Sequence, residues 1–186
     1  FQKIDLKSFS ELEQYILGRL FNLDKAIKTN LKNYNFHKLY KELLNFCTQE
    51  LSSFYFDIRK DVLYCDDLNS KKRKDCIIVL NIILECLLKW MAPVFVFTTE
   101  EIFNLINKNE NSIHETIFPE IPEKWKNDLL IEKWKELYQI KQDVNIAIEE
   151  KRTNKEIGSS LEANVLINVN DKEFKLLEGI DLEEYF

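Results

Sequence analysis

The sequence predicts a mainly α fold, with a bundle of about five helices followed by a small, partial α+β subdomain. Apolar residues recur at spacings of three and four along most of the chain, which places them on one face of a helix. The 186 residues include only three glycines and three prolines, which favours long helices with few tight turns. One stretch near the C-terminus alternates apolar and polar residues instead, which predicts a strand. We expect the bundle over residues 1–153 and the subdomain over residues 154–186.

The composition predicts a folded, soluble chain. Hydrophobic residues make up 45% and aromatic residues 12%, which favours a packed globule over disorder. The opening residues lack the apolar core of a signal peptide, and the most apolar run, Ile77 to Leu88, is too short to span a bilayer. We expect a monomeric, cytoplasmic chain with no membrane partner, cut from a longer protein because it lacks an initiator methionine.

The net charge of −6 bears on the class of partner. It counts against a sequence-independent nucleic-acid binder, because neutralisation of phosphates supplies most of the affinity of such proteins. It is compatible with a domain that contacts RNA through one local patch. It also suits a helical protein-interaction domain with no RNA role, and periodicity alone leaves that alternative open.

Cysteine and histidine spacing predicts neither a metal site nor a nucleophile. The four cysteines form no Cys-x-x-Cys pair, and the two histidines are isolated from them and from any nucleophile pattern. We therefore expect reduced, buried thiols, and no cofactor held by this chain. The residues concerned are Cys47, Cys65, Cys76, Cys86, His37 and His114.

The first two helices follow from capping signals and apolar stripes. Ser8-x-x-Glu11 and Ser10-x-x-Glu13 both fit a capping box, so the first helix is predicted to begin at one of these serines. A second helix is predicted from Phe36 to Tyr64, with a bend near Ser52-Ser53, because serine side chains compete for backbone partners. Its polar side is predicted to expose Asp57, Arg59, Lys60 and Asp61 to solvent.

The third helix is predicted to begin at the basic run Lys71 to Lys74 and to end before Pro93. Apolar residues cover so much of its circumference that we expect it at the centre of the bundle. A further capping box, Thr98-Thr99-Glu100-Glu101, predicts the start of a short fourth helix. Trp90 and Trp134 are expected in the core, whereas Trp125 follows a proline loop and its position stays open.

The last third of the chain is predicted to hold a loop, a long helix and one strand. The loop covers residues 108–126, and the fifth helix runs from Asp128 to Lys151. Ala163 to Val169 alternates as a strand does, and a helix is predicted to begin at Glu173. Because a lone strand is unstable, its partner must come from residues near 181–185 or from chain outside this sequence.

Three segments resemble one protein family, in the same order along the chain. The first is Leu51 to Asp67, with its Asp57-Ile58, Lys60-Asp61 and Leu63-Tyr64 pairs. The second is Trp90 to Phe103, with Trp-x-Ala-Pro, Phe-Thr and Glu-Glu motifs, and the third is Lys155 to Ala163. Together they resemble the anticodon-binding region of bacterial isoleucyl-tRNA synthetases. The family usually has arginine where this chain has Val62, and Arg59 supplies a cation three residues earlier.

The resemblance implies a tRNA-binding module whose parent attaches isoleucine to its tRNA with ATP and Mg²⁺. This chain contains neither the His-x-Gly-His nor the Lys-Met-Ser-Lys-Ser signature, so we expect no catalysis from it. The implied partners are the isoleucine tRNA and the remaining domains of the synthetase, and any zinc module would lie in those domains. The same module from a valyl or leucyl enzyme is an alternative, because the Trp-x-Ala-Pro segment is shared.

Candidate tRNA contacts are cations and amides predicted to lie away from the apolar stripes, because phosphates need cations and unpaired bases need polar or planar groups. They lie at four places: the polar side of the first helix, the second helix, the start of the third helix, and the junction after the fifth. The candidates are Arg19, Asn22, Arg59, Lys60, Lys71, Lys72, Arg73, Lys74, Lys151, Arg152 and Lys155.

Overall fold

A computed structural model of the chain describes residue 1, residues 4–107 and residues 111–186. The chain forms two units, Phe1–Asn127 and Asp128–Phe186. The predicted mainly α class is confirmed. The first unit contains α1 (Glu11–Lys32), α2 (Phe36–Asn45), a π-helical segment (Phe46–Tyr55), α3 (Phe56–Cys65), α4 (Lys71–Met91) and α5 (Val96–Ile106). The second contains α6 (Asp128–Thr153), α7 (Asp171–Leu177) and α8 (Leu182–Tyr185).

Helix α1 begins after Ser10, as predicted, and buries one continuous apolar face. Leu12, Ile16, Leu20, Leu23 and Ile27 all lie on that face. The predicted capping box is wrong, however, because the Ser10 side chain makes no hydrogen bond to the backbone of the first turn. Its hydroxyl instead donates to the Glu13 carboxylate and accepts from Arg59 on α3, so the residues of the capping signal take part in a tertiary contact.

The predicted long second helix is continuous from residue 36 to residue 65, and its middle is widened into the π-helical segment. The predicted bend at Ser52-Ser53 falls inside this segment. The Ser53 hydroxyl donates to the Thr48 carbonyl at 2.8 Å, five residues back, as the wider turn requires. The segment buries Phe46, Leu51, Phe54 and Tyr55 in the core.

A buried ion pair joins α3 to the start of α1. Arg59 Nε lies 2.6 Å from Glu13 Oε1, and Arg59 Nη2 lies 2.8 Å from Glu13 Oε2. The two side chains are only 2% and 1% exposed. Arg59 Nη2 also donates to the Ser10 hydroxyl at 2.9 Å, and the Tyr55 hydroxyl lies 3.3 Å from Glu13 Oε1. The predicted exposure of Arg59 to solvent is therefore wrong, because its partner on α1 draws the guanidinium inward.

Helix α4 lies against α1, α3 and α5, which agrees with its predicted central position. It buries Cys76, Val79, Ile83, Cys86 and Trp90. Burial raises the pKa of the Cys86 thiol well above its ordinary value. The helix ends at Met91, as the proline two residues later predicts.

Helix α5 begins at Val96, two residues before the predicted capping box, so that prediction is wrong. Thr99 lies inside the helix, where its hydroxyl donates to the Phe95 carbonyl at 2.9 Å. The Glu100 side chain binds the loop that follows the helix. Its Oε2 accepts hydrogen bonds from the Ser112 hydroxyl at 2.8 Å and from the Ile113 amide at 3.0 Å. The loop has 3₁₀ turns at Ile113–Glu115 and Glu123–Trp125, and residues 108–110 of the predicted loop lie outside the described residues.

The predicted strand at Ala163 to Val169 is wrong. These residues follow a 3₁₀ turn at Ser160–Glu162 and belong to no strand, and the described residues of the chain contain none. Residues near 181–185, the candidate partner, form α8 instead. Alternation makes a strand only where a second backbone accepts its hydrogen bonds, and neither α8 nor α6 offers one.

The core of the second unit forms around Tyr185. The Trp134 ring meets the Tyr185 ring edge to face, with centroids 5.3 Å apart. The Lys141 side chain is buried, and its ammonium donates to the Tyr185 carbonyl at 2.8 Å.

The predicted burial of Trp90 and Trp134 is confirmed, and Trp125 is also buried, with its ring centroid 5.7 Å from that of Phe1.

The thiol prediction holds for two of the four cysteines. Cys76 and Cys86 are buried, whereas Cys47 is half-buried and Cys65 is exposed at the end of α3. Among the described residues, no group of three or more His, Cys, Asp or Glu side chains is placed to hold a metal ion. None of the helices described is both long and apolar enough to cross a membrane.

Removal of one partner of the buried ion pair should destabilise the first unit strongly. We expect Arg59→Met to lower the free energy of unfolding by about 3–5 kcal/mol, because it leaves the Glu13 carboxylate buried without a cation. The double variant Glu13→Leu/Arg59→Met should be more stable than Arg59→Met alone. Urea unfolding measures both. Arg19→Met is the control, because the Arg19–Glu50 pair is partly exposed and should contribute about 1 kcal/mol. Equal losses for Arg59→Met and Arg19→Met would contradict the assigned role.

The Glu100 contacts predict a titration. The hydrogen bond from Ser112 is the main cause that holds the pKa of Glu100 below its ordinary value of 4.5. A lowered pKa in the folded state means that the contacts stabilise the loop above pH 4.5 and are lost as the pH falls through the folded pKa. NMR titration of the side-chain carboxyl should give a midpoint below 4.5, which Ser112→Ala raises. A wild-type midpoint above that value would contradict the contacts.

Candidate nucleic-acid interface

The basic run at the start of α4 folds back onto its neighbours. The Lys71 ammonium contacts the Asp75 carboxylate and the Ser8 carbonyl. Arg73 Nε donates to the Leu63 carbonyl at 3.1 Å, near the end of α3, and the Lys74 ammonium donates to Asn69 Oδ1 at 3.2 Å. Lys72 is half-exposed. The four cations therefore share one end of the first unit, and their contacts rigidify the turn between α3 and α4.

Of the two candidates on α3, only Lys60 reaches the surface. Its side chain is 57% exposed, and its ammonium lies 3.0 Å from Asp57 Oδ1. The prediction that Arg59 contacts RNA is wrong, because its guanidinium is enclosed with Glu13 and has no path to an external phosphate. Of the two cations that the sequence places on the polar side of this helix, Arg59 is therefore buried and Lys60 is exposed.

The candidates on α1 form a separate, partly buried site. The Arg19 guanidinium donates two hydrogen bonds to the Glu50 carboxylate, with Nε–Oε2 and Nη2–Oε1 distances of 2.6 Å each. The hydrogen bond to Glu50 raises the pKa of Arg19 above its ordinary value. Asn22 is half-buried on the same helix. An RNA phosphate could use Arg19 only by competing with the Glu50 carboxylate.

The candidates of the second unit cluster at the end of α6, and all three are exposed. The Lys151 ammonium lies 2.6 Å from Glu156 Oε2, and that contact raises the pKa of Lys151 and lowers that of Glu156. The Arg152 guanidinium contacts the Glu149 carboxylate. Lys155 lies two residues after the last residue of α6 and has φ of 58°. The amide of the following residue, Glu156, donates to the Lys151 carbonyl at 3.0 Å. This is the left-handed helix end that glycine usually occupies.

The structure also shows a basic surface that the sequence reasoning missed. Residues 25–41 contain five lysines and a histidine, and no Asp or Glu. Lys25 and Lys28 pair with Glu123 and Asp24. The other three lysines are exposed, with no ion pair among the described residues, and in sequence they flank two exposed aromatic rings at the turn between α1 and α2. This turn surface consists of Lys32, Tyr34, Phe36, His37, Lys38 and Lys41.

A signal for the turn surface was available in the sequence. A run of 17 residues without a carboxylate is unusual in a chain whose net charge is −6. An apolar stripe identifies the faces of a single helix, whereas this surface joins the end of α1 to the start of α2. The distribution of charge along the chain is the signal that identifies the turn surface.

Comparison with known proteins adds family information to this geometry. Residues 13–167 match a family model described as the anticodon-binding domain of tRNA ligase. The chain is 56% identical to an isoleucine–tRNA ligase of Pelagibacter ubique over 189 residues, which cover 99% of this chain and 21% of that protein. It is 40% identical over 184 residues to the isoleucine–tRNA ligases of Mesorhizobium japonicum and Agrobacterium fabrum. Those matches cover 98% of this chain and 18% and 19% of the two proteins. The chain thus spans about a fifth of the length of these relatives.

The helix end at Lys155 predicts a stabilising substitution. Lys155→Gly should raise the free energy of unfolding by up to about 1 kcal/mol, because a non-glycine residue in the left-handed region strains the backbone by about that much. Lys155→Ala removes the same side chain but keeps the strain, so it should give no gain. Thermal unfolding of both variants makes the comparison. Identical melting temperatures for the glycine and alanine variants would refute the strain.

Proposed function

Because this chain belongs to the family of anticodon-binding domains of tRNA ligases, we propose that it binds the anticodon arm of a tRNA within a longer synthetase. The observation that carries the proposal is the family match over residues 13–167, which extends across most of the chain. The resemblance of three segments to isoleucyl-tRNA synthetases is confirmed by relatives of that name. The valyl and leucyl alternatives and the non-RNA interaction domain are not favoured.

The proposed parent enzyme joins isoleucine to its tRNA in the cytoplasm. Its ATP, Mg²⁺ and amino-acid sites would lie in the four-fifths of the relatives' length that this chain does not span. The absence of the two class I signatures from these 186 residues supports that division. Any zinc module would also lie outside this chain. The proposed partners are the isoleucine tRNA and the remaining domains of the synthetase.

The contribution of this chain would be to hold the anticodon arm while another domain acts on the acceptor end. That task needs local cations rather than a basic protein, which is compatible with a net charge of −6. Arg59 is buried, so the exposed cations available for this task are Lys60 on α3 and those at the start of α4, at the end of α6 and at the turn surface. Most of those at the start of α4 and at the end of α6 already contact neighbouring groups of the protein, so an RNA phosphate would have to displace those contacts.

Fluorescence anisotropy with isoleucine, valine and leucine tRNA transcripts tests the proposal. We expect the full-length synthetase to bind the isoleucine tRNA most tightly, to lose that preference when its anticodon is changed, and to bind more weakly as salt increases. The same series with the 186-residue chain measures how much affinity the domain supplies alone. Equal affinity of the synthetase for all three transcripts, or no effect of the anticodon change, would reject the proposal.

A further inference from the structure

We propose that Tyr34 and Phe36 form a stacking platform for unpaired RNA bases, and that Lys32, Lys38 and Lys41 bind the adjoining phosphates. The inference rests on the proposed function and deepens it, because it assigns RNA contact to a surface between α1 and α2. The ligand is a single-stranded stretch of RNA, as found in the loop of an anticodon arm. Planar rings beside cations are the combination that single-strand binders use.

The two rings are both exposed to solvent. Tyr34 is 80% and Phe36 is 48% exposed. Their centroids lie 6.3 Å apart with the ring planes at 77°, so each ring has a face directed away from the other. Apolar rings in water lose the free energy that burial would supply, whereas a base stacked on either ring would recover part of it. The exposure therefore favours a planar ligand at this turn.

The backbone at the turn is hydrogen-bonded and strained. The Tyr34 amide donates to the Leu31 carbonyl at 3.0 Å, and the Asn35 amide donates to the Asn30 carbonyl at 2.8 Å. Tyr34 has φ of 55°, the left-handed conformation that favours glycine. Asn35 then caps α2 by accepting from the Lys38 amide. These backbone hydrogen bonds fix where the chain turns between α1 and α2, and the Tyr34 side chain leaves that turn into solvent.

The charges around the rings differ from those of the other candidate surfaces. Lys32, Lys38 and Lys41 are exposed, and none has an ion-pair partner among the residues that the structure describes. The nearest carboxylates along the chain are Asp24 and Glu42, and Asp24 is buried beside Lys28. Cations without carboxylate partners bind phosphate without first breaking an ion pair. The turn surface offers three such cations, whereas Lys71, Lys151 and Arg152 on the other two surfaces already contact carboxylates.

Stacking makes a specific kinetic prediction. Every base has a π face, so the platform should add affinity without discriminating between sequences. Loss of the rings should weaken binding of cognate and non-cognate tRNA by the same factor. In aminoacylation the change should appear in KM for tRNA, with kcat unchanged. The platform does not touch the reacting atoms, so it would stabilise the ground state and the transition state equally.

The first arm of the test substitutes the rings in the full-length synthetase. We expect Tyr34→Leu/Phe36→Leu to raise the Kd for isoleucine tRNA about tenfold, and Tyr34→Phe to bind like the wild type. A transcript with 2-aminopurine in the anticodon loop should show a fluorescence change on binding that the double leucine variant reduces. Tyr64→Leu is the matched control, because Tyr64 is 88% exposed at the other end of the α2–α3 run. Loss of affinity with Tyr64→Leu but not with the ring variant would overturn the proposal.

The second arm substitutes the cations. Changing Lys32, Lys38 and Lys41 together to Gln should reduce the slope of log Kd against log salt by about 2, since each phosphate contact contributes about 0.7 for a single strand. A matched triple changes three lysines that already pair with carboxylates and alters the net charge equally. Those lysines are Lys25, Lys89 and Lys172. An equal change in slope for both triples would mean that only net charge matters, and would overturn the phosphate contacts.

The outcomes separate this inference from the proposed function. If the wild-type synthetase shows no preference among the three transcripts, the proposed function fails before any variant is compared. If the wild type prefers isoleucine tRNA and the ring variant binds as tightly as the wild type, the stacking platform alone is rejected. A tenfold loss with the ring variant, unchanged kcat and an unaffected Tyr64→Leu control supports the platform.

Discussion

The bidentate contact between Arg59 and Glu13 constrains the first unit more than any other polar interaction described in it. Both charges are enclosed, and enclosed charges are tolerated only when their hydrogen-bonding groups are satisfied. The Ser10 and Tyr55 hydroxyls complete the site, and the Tyr55 hydroxyl also lies 3.4 Å from Cys76 Sγ on α4. One cation therefore defines how α1, the long α2–α3 run and α4 meet. A shift of any helix by one turn would separate the charges, so the pair specifies the packing.

The candidate cations that the structure describes differ in how far their charge is already compensated. Arg59 is internal and structural. Lys71, Lys151 and Arg152 are surface cations that contact carboxylates, so part of their charge is already neutralised. The lysines of the turn surface have no such partner within the described chain. In an acidic protein such a local excess of positive charge is the kind of field that would attract a polyanion, which is why we propose RNA contact at this turn.

Local signals predicted the helices well. The ends at Ser10, Met91 and the start of α6 depend on capping residues, proline and periodicity, which act within a few residues of one another. The errors arose where a local pattern served a distant partner. Ser10 and Glu13 form a capping pattern but bind Arg59, and Glu100, which lies inside the second predicted capping box, binds Ser112. The alternating residues at 163–169 lack the neighbouring backbone that a strand requires.

Periodicity and motif wording are properties of short segments, so the mainly α class, the approximate helix bounds and the family could be read from the chain directly. Which charged residues face water depends instead on how the helices pack. A polar residue beside an apolar stripe has the same local pattern whether solvent or a buried carboxylate meets it, so Arg59 and Lys60 were indistinguishable. The turn surface depends likewise on two helices meeting. Burial is set by residues far apart in the chain, and a one-dimensional pattern contains no distance between them.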